Sequence, residues 1–163
     1  VIALSRNISV TREDGLLIRR AGAEDLRDLM ELLSQLHPEE APRPVDEQLR
    51  ATFTEVLAAC RLRAIIVACL DGALVGTLDL LLVANLTRGG RPWASIENVV
   101  VDAAWRRRGI GRALLDVAVN LAREAGCSKL QLISREERGA AHELYVGSGF
   151  TAPVRGFRRY LDA

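Results

Sequence analysis

Apolar residues recur along the chain with two periods, one helical and one alternating, and the order of these stretches predicts most of the elements. Over residues 23–36, Leu26, Leu29, Met30, Leu32, Leu33 and Leu36 follow helical spacing, while Asp25, Arg27, Asp28 and Glu31 take the other face. Prolines at 38, 42 and 44 stop this amphipathic helix, because each removes a donor and disfavours helix in the preceding residue. A second helix is predicted from the N-cap candidate Asp46 through Leu49, Phe53, Val56 and Leu57 to about Cys60. Residues 62–70 and 73–83 read as antiparallel strands around the turn pair Asp71-Gly72. Residues 93–101 continue the meander and end in Val99-Val100-Val101. Leu114, Leu115, Val117, Ala118 and Leu121 then predict a helix over 110–125, stopped at Gly126, with a strand over 129–133 behind it.

The ends are less regular. Residues 1–15 carry little periodicity and read as an N-terminal extension or first short strand, before a short strand at 16–19. A single domain over 16–163 is expected. A shorter helix is predicted at 139–146, followed by a terminal hairpin of 150–154 and 157–161. The class is therefore α/β (α+β), and nothing in the chain reads as a repeat or linker.

Composition narrows the function classes. The chain has 163 residues, 49% hydrophobic and 26% charged, which suits one soluble domain with a real core. Its 22 basic residues nearly balance 21 acidic ones, so the strong global field of a nucleic-acid coat or membrane-surface protein is absent. Only Lys129 among the basic residues is a lysine, which weakens any argument from arginine runs alone. Counted by segment, residues 1–102 hold 11 basic and 15 acidic side chains, and residues 103–163 hold 11 and 6. The near-neutral total hides a negative part and a positive part, which would suit a cationic and an anionic substrate respectively. The longest apolar run, residues 64–70, falls far short of the ~20 residues a bilayer requires. With no signal-peptide pattern either, a cytoplasmic protein without membrane partners is expected. Cys60, Cys69 and Cys127 are odd in number and lack CxxC spacing, so buried thiols are expected rather than a disulfide framework or metal site.

The sharpest chemical feature spans residues 99–112, where a strand ends, a glycine-containing basic loop follows and a helix begins. Unpaired N–H groups at the helix start, the helix dipole and close backbone approach at glycine together make an anion site suited to a pyrophosphate. The dinucleotide fingerprint fails because Leu114 stands at its third glycine position, and no GxxxxGK[ST] loop is present. Taken alone, the loop reads equally as a tight turn with a solvated arginine face.

With its surroundings the segment resembles the GNAT N-acetyltransferase superfamily. The superfamily's acyl-CoA signature, Arg/Gln-x-x-Gly-x-Gly/Ala, is matched by Arg106, Gly109 and Gly111; the run IENVVVDAAWRRRGIGRALLDVAV and the later HELYVGSGF extend the likeness. The resemblance covers nearly residues 16–161. It implies a GNAT acyl-CoA N-acyltransferase fold, with a mixed central sheet of about six or seven strands flanked by about four helices.

Carried onto these residues, the resemblance implies that the N–H groups of Arg107, Arg108, Gly109, Ile110, Gly111 and Arg112 hold the pyrophosphate of acetyl-CoA. The arginines, Arg106 included, are auxiliaries. The preceding strand is expected to splay from its neighbour, with Val99 and Val101 as backbone contacts to pantetheine. Transfer to an amine needs a neutral nucleophile, a stabilised oxyanion and a proton for the departing thiolate. Tyr145 matches the tyrosine that protonates the sulfur, or else packs its ring in the core with its hydroxyl on an ordinary partner. Glu97 matches a position where some members carry the carboxylate that takes the amine proton, or else is structural and orients Asn98 or a loop. Many members have an Asn about two turns before the Tyr; Arg138 stands in that region here, so the resemblance implies that this side-chain contact to CoA is either lost or passes to Arg138 or Ser134.

His37 and His142 read as helix-end or surface residues, or else as acceptor-site groups, and no Cys-His or Ser-His-Asp pattern favours covalent catalysis. Direct attack in a ternary complex is expected. Glu39, Glu40, Asp46 and Glu47 are either attractants for a cationic acceptor or a solvated acidic loop. The acceptor is a small-molecule or peptide amine, and homodimerisation is frequent in the superfamily. Two other readings remain at this point: a catalytically silent acyl-CoA-binding sensor, and nucleic-acid binding through Arg106-Arg107-Arg108, which 4% aromatic content and the lack of a basic recognition helix disfavour.

Overall fold

In the computed structural model, which describes residues 2–5, 7–41, 43–153 and 155–161, alternation along the strands decides which helices each strand meets. Strands β1 (Ser9–Thr11) and β2 (Leu17–Arg20) precede a 3-10 turn at Ala23–Asp25, helix α1 (Leu26–Ser34) and helix α2 (Glu47–Ala58). Strands β3 (Arg63–Leu70), β4 (Ala73–Val83) and β5 (Trp93–Val101) follow, then α3 (Ile110–Glu124), β6 (Leu130–Leu132) and α4 (Gly139–Gly147). The six strands lie in sequence order in one mixed sheet, antiparallel from β1 to β5 and parallel between β5 and β6.

On β3, Ala64, Ile66 and Ala68 face the cluster built around Leu114, Leu115 and Ala118 of α3, whereas Val67 packs with Leu29 of α1 and Phe53 of α2. The sheet is thus covered by α3 on one face and by α1 and α2 on the other. Leu114 and Leu115 are fully buried, and each contributes roughly 2 kcal/mol by leaving water. The expected N-cap is realised at α2, where the Asp46 carboxylate accepts from the Leu49 N–H at 2.8 Å. At the Asp71-Gly72 turn both residues have positive φ, as a two-residue hairpin demands.

Two contacts fix α1 against the sheet. Arg19 forks onto Asp25 at 2.6 and 2.8 Å, and the Gly22 N–H reaches the same carboxylate at 2.7 Å. Burial alone would raise the Asp25 pKa, but the Arg19 and Gly22 hydrogen bonds and the Arg19 charge bring it below the ordinary value. At the other end Gln35 donates to Asp102 at 2.8 Å and accepts from the Ala103 N–H at 3.1 Å, tying the end of α1 to the end of β5.

The N-terminal stretch contributes more than its weak periodicity suggests, since residues 9–11 pair with β2 and Leu4 and Ile8 are buried. The terminal hairpin differs from expectation. Among the described residues, 150–153 and 155–161 form no strand; Val154 and residues 162–163 lie outside the described part. Pro153 and Gly156 interrupt the stretch, Arg155, Arg158 and Arg159 leave it no continuous apolar face, and Phe157 is 90% exposed. The cysteines are free and only partly buried, and among the described residues no helix is long and apolar enough to cross a membrane.

Candidate active site

The site begins with one residue that does not fit its strand. Glu97 of β5 pairs with Asp79 and Val100 with Thr77, so Asn98 and Val99 together oppose the single residue Leu78. Asn98 takes a φ of 53°, a conformation that asparagine tolerates better than most side chains. This bulge bends β5 just where its pairing with β6 ends, at Ile96 and Leu132. Beyond it the two strands part. Asp102 donates to the Val75 carbonyl at 2.9 Å, so by antiparallel alternation Val101 directs its backbone groups away from β4 and into the split. Its carbonyl there accepts from Arg106 Nε at 3.1 Å.

A cavity of about 400 Å³ occupies the split, and Glu97, Asn98, Val99 and Tyr145 share its walls. Tyr145 stands edge-on to Phe150, with ring centroids 6.2 Å apart, and its ring packs against the core. Its hydroxyl makes no hydrogen bond among the described residues. Burial raises its pKa, against the opposing charge of Arg138, so the phenol is a neutral O–H donor at physiological pH. Glu97 is exposed to the cavity, and one carboxylate oxygen accepts from Ser95 Oγ at 3.0 Å. The expected pair of groups therefore faces one space.

The loop beside the split presents its backbone and occupies most of its side chains. The N–H groups of Gly109, Ile110, Gly111 and Arg112 donate to nothing among the described residues, as the first turn of α3 dictates. Gly109 has a φ of 78°, and a Cβ on it would meet only the far end of Arg12, at 3.7 Å. Gly111 is needed for another reason, since a Cβ there would stand 2.9 Å from Leu144 of α4. Arg108 stacks on Trp105, its guanidinium 4.8 Å from the ring centroid. Arg112 donates to the Gly147 carbonyl and reaches Asp116 at 3.3 Å, while Arg107 holds a φ of 65°. Arg106 braces the loop, Arg112 ties α3 to α4, Arg108 covers a ring, and the unpaired N–H groups remain for an anion.

Residues 26–150 match the model for the acetyltransferase (GNAT) family. The chain belongs to the GNAT acetyltransferase family. Aminoglycoside N(6')-acetyltransferase type 1 of Stenotrophomonas maltophilia is 31% identical over 149 residues, covering 89% of this chain and 94% of that protein. Glucosamine 6-phosphate N-acetyltransferase of Trypanosoma brucei brucei is 38% identical over 87 residues, and the matched part spans 53% of this chain and 57% of that protein. Among solved structures, a Trypanosoma brucei acetyltransferase superposes with a TM-score of 0.78 at 31% identity, covering 90% of this chain and 99% of the other. Among the described residues, the six-stranded mixed sheet with its four α-helices is the GNAT fold expected from the sequence.

In this GNAT acetyltransferase, Arg138 lies away from the loop of residues 106–112. It stands at the N-cap position of α4 and its side chain donates to the Leu36 carbonyl at 2.8 Å, whereas the other end of α4 meets Arg112. The nine residues of α4 put about 13 Å between those ends. Arg138 instead lines the cavity with Ser134, His37 and Glu40. His37 Nδ1 stands 3.5 Å from Glu39 and 3.9 Å from Glu40. His142 does not line the cavity, and Asp46 is spent on its cap. Sequence reasoning missed Asn98, Gln35, Arg135, Arg158 and Tyr160. The one available signal was at Asn98, a poor strand former inside the run Ile96 to Val101.

An Asn98→Val variant tests the bulge. A branched side chain is costly at positive φ, so thermal stability should fall by about 1–2 kcal/mol, and acetyl transfer should fall further than stability explains. Asn98→Gly should keep both. Equal activity in the two variants would show that the bulge does not shape the site.

Proposed function

We propose that this chain moves an acetyl group from acetyl-CoA to a primary amine by direct attack within a ternary complex. The observation that carries the reading is the split of β5 from β6 at Asn98, with Glu97 and Tyr145 on one cavity beside a loop of unpaired N–H groups. Those residues fit acetyl-CoA. Gly109, Ile110, Gly111 and Arg112 offer four N–H groups and a helix start to the pyrophosphate, Arg107 and Arg108 border them, and Val99 and Val101 offer backbone groups to the pantetheine arm. Bound acetyl-CoA supplies an activated thioester. Glu97 holds the amine and takes its proton, directly or through water, and Tyr145 gives a proton to the departing sulfur. The neutral Tyr145 phenol is the correct form for that role.

Initial rates measured over a grid of acetyl-CoA and amine concentrations test the order of events. Intersecting reciprocal plots are expected for transfer in a ternary complex. Parallel plots would overturn direct attack in favour of an acetylated enzyme.

A further inference from the structure

The acceptor side of the cavity holds arginines as well as the acidic residues that the first half of the chain suggests. Three guanidiniums, those of Arg135, Arg138 and Arg158, share the cavity wall, against two carboxylates, Glu40 and Glu97. The same three arginines and Tyr160, together with Glu136 and Glu137, line an adjoining outer space of about 520 Å³, so the two form a continuous vestibule with three guanidiniums and four carboxylates on its walls. Glu97 lies in the inner part. Among the described residues none of the three arginines has a carboxylate within 4.0 Å, although Arg12, Arg19, Arg63 and Arg112 each do. Arg135 instead approaches His37 Nδ1 at 3.4 Å, Arg138 donates to the Leu36 carbonyl and Arg158 donates to the Tyr160 hydroxyl at 3.2 Å. Each guanidinium therefore keeps donors unspent, since a guanidinium carries five N–H groups.

We propose that the amine acetylated in this site also carries an anionic group, which Arg135 and Arg158 bind in the outer vestibule while Glu97 receives the amine. This rests on the acetyltransferase reading of the same cavity. Arg138, held on Leu36, adds fixed positive charge behind them. Guanidinium pairs favour planar, bidentate contact with carboxylate or phosphate oxygens, and among the described residues these guanidiniums stay unpaired although Glu136 and Glu137 line the same outer space. The two named relatives act, by their names, on acceptors of contrasting charge, an aminoglycoside and a sugar phosphate; the vestibule of this chain fits the anionic kind.

The test compares kcat/KM for acceptors matched except in charge: ethanolamine, O-phosphoethanolamine and β-alanine; glucosamine and glucosamine 6-phosphate; and spermidine. At least one anionic member should exceed its neutral counterpart tenfold or more, and the phosphate-to-carboxylate ratio identifies which anion is read. That advantage should shrink as salt rises. In Arg135→Gln and Arg158→Gln, each checked for an unchanged melting temperature, the anionic-to-neutral ratio should fall at least fivefold, and Arg135→Lys should restore part of it. Turnover with equal or better use of neutral or polycationic amines would overturn the proposal alone, as would a ratio unchanged in both Gln variants. No acetylation of any amine would overturn the acetyltransferase reading and the proposal with it.

Discussion

Tyr145→Phe should bind acetyl-CoA within about threefold of the parent and lose about a hundredfold or more in kcat, the usual scale for removing a positioned proton donor. The variant separates two jobs of one side chain. The ring packs against the core and stands edge-on to Phe150, and phenylalanine keeps both contacts. Only the hydroxyl is lost, and it has no partner among the described residues to leave unsatisfied. Stability should therefore change by less than about 1 kcal/mol. The sign of the pKa shift adds a second check. A buried phenol with a raised pKa is neutral below that value, so the wild-type rate should not lose its acid on the alkaline side until pH exceeds about 10, the ordinary tyrosine value. Unchanged kcat in Tyr145→Phe would reduce this residue to core packing.

Gly109→Val should raise the Kd for CoA by tenfold or more, a larger loss than either Arg107→Ala or Arg108→Ala produces. The glycine has a φ of 78°, which a β-branched residue resists by about 1–2 kcal/mol. The variant must either carry that strain or turn the unpaired N–H groups of residues 109–112 out of register. Steric clash within the protein is not the cause, because a Cβ there meets only the mobile end of Arg12. Gly111→Val is a poorer probe, since it strikes Leu144 and disturbs the packing of α3 against α4 before any ligand binds. Calorimetric titration with CoA reads the comparison. An arginine variant that loses as much as Gly109→Val would place the binding energy in side chains instead of the backbone.

Strongly periodic segments were the legible ones. The apolar stripe of α3, the Asp71-Gly72 turn and the alternation of β3 and β4 each encode a local geometry that burial then reinforces. The loop from Arg106 to Arg112 was readable because glycine and a helix start impose their geometry within a few residues. The cavity wall around Arg135 and Arg158 was not. Arg135 and Arg158 reach one cavity from a loop after β6 and from the irregular C-terminal stretch, and no sequence period links them. Segment charge misled for the same reason, since the positive half of the chain supplies the arginines of both the Arg106–Arg112 loop and the cavity wall, where Glu40 and Glu97 of the first half also stand. The terminal hairpin was expected from short apolar patches, yet Pro153, Gly156 and the arginines leave those patches no face to bury.

Release of free thiol from acetyl-CoA, followed with and without each member of an amine panel and paired with the mass of the product, tests the central claim most directly. Amine-dependent thiol release, matched one for one by an N-acetylated product, is the result expected. Tight binding of CoA with no thiol released above background on any amine would contradict it, and would leave a protein that binds the cofactor without using it.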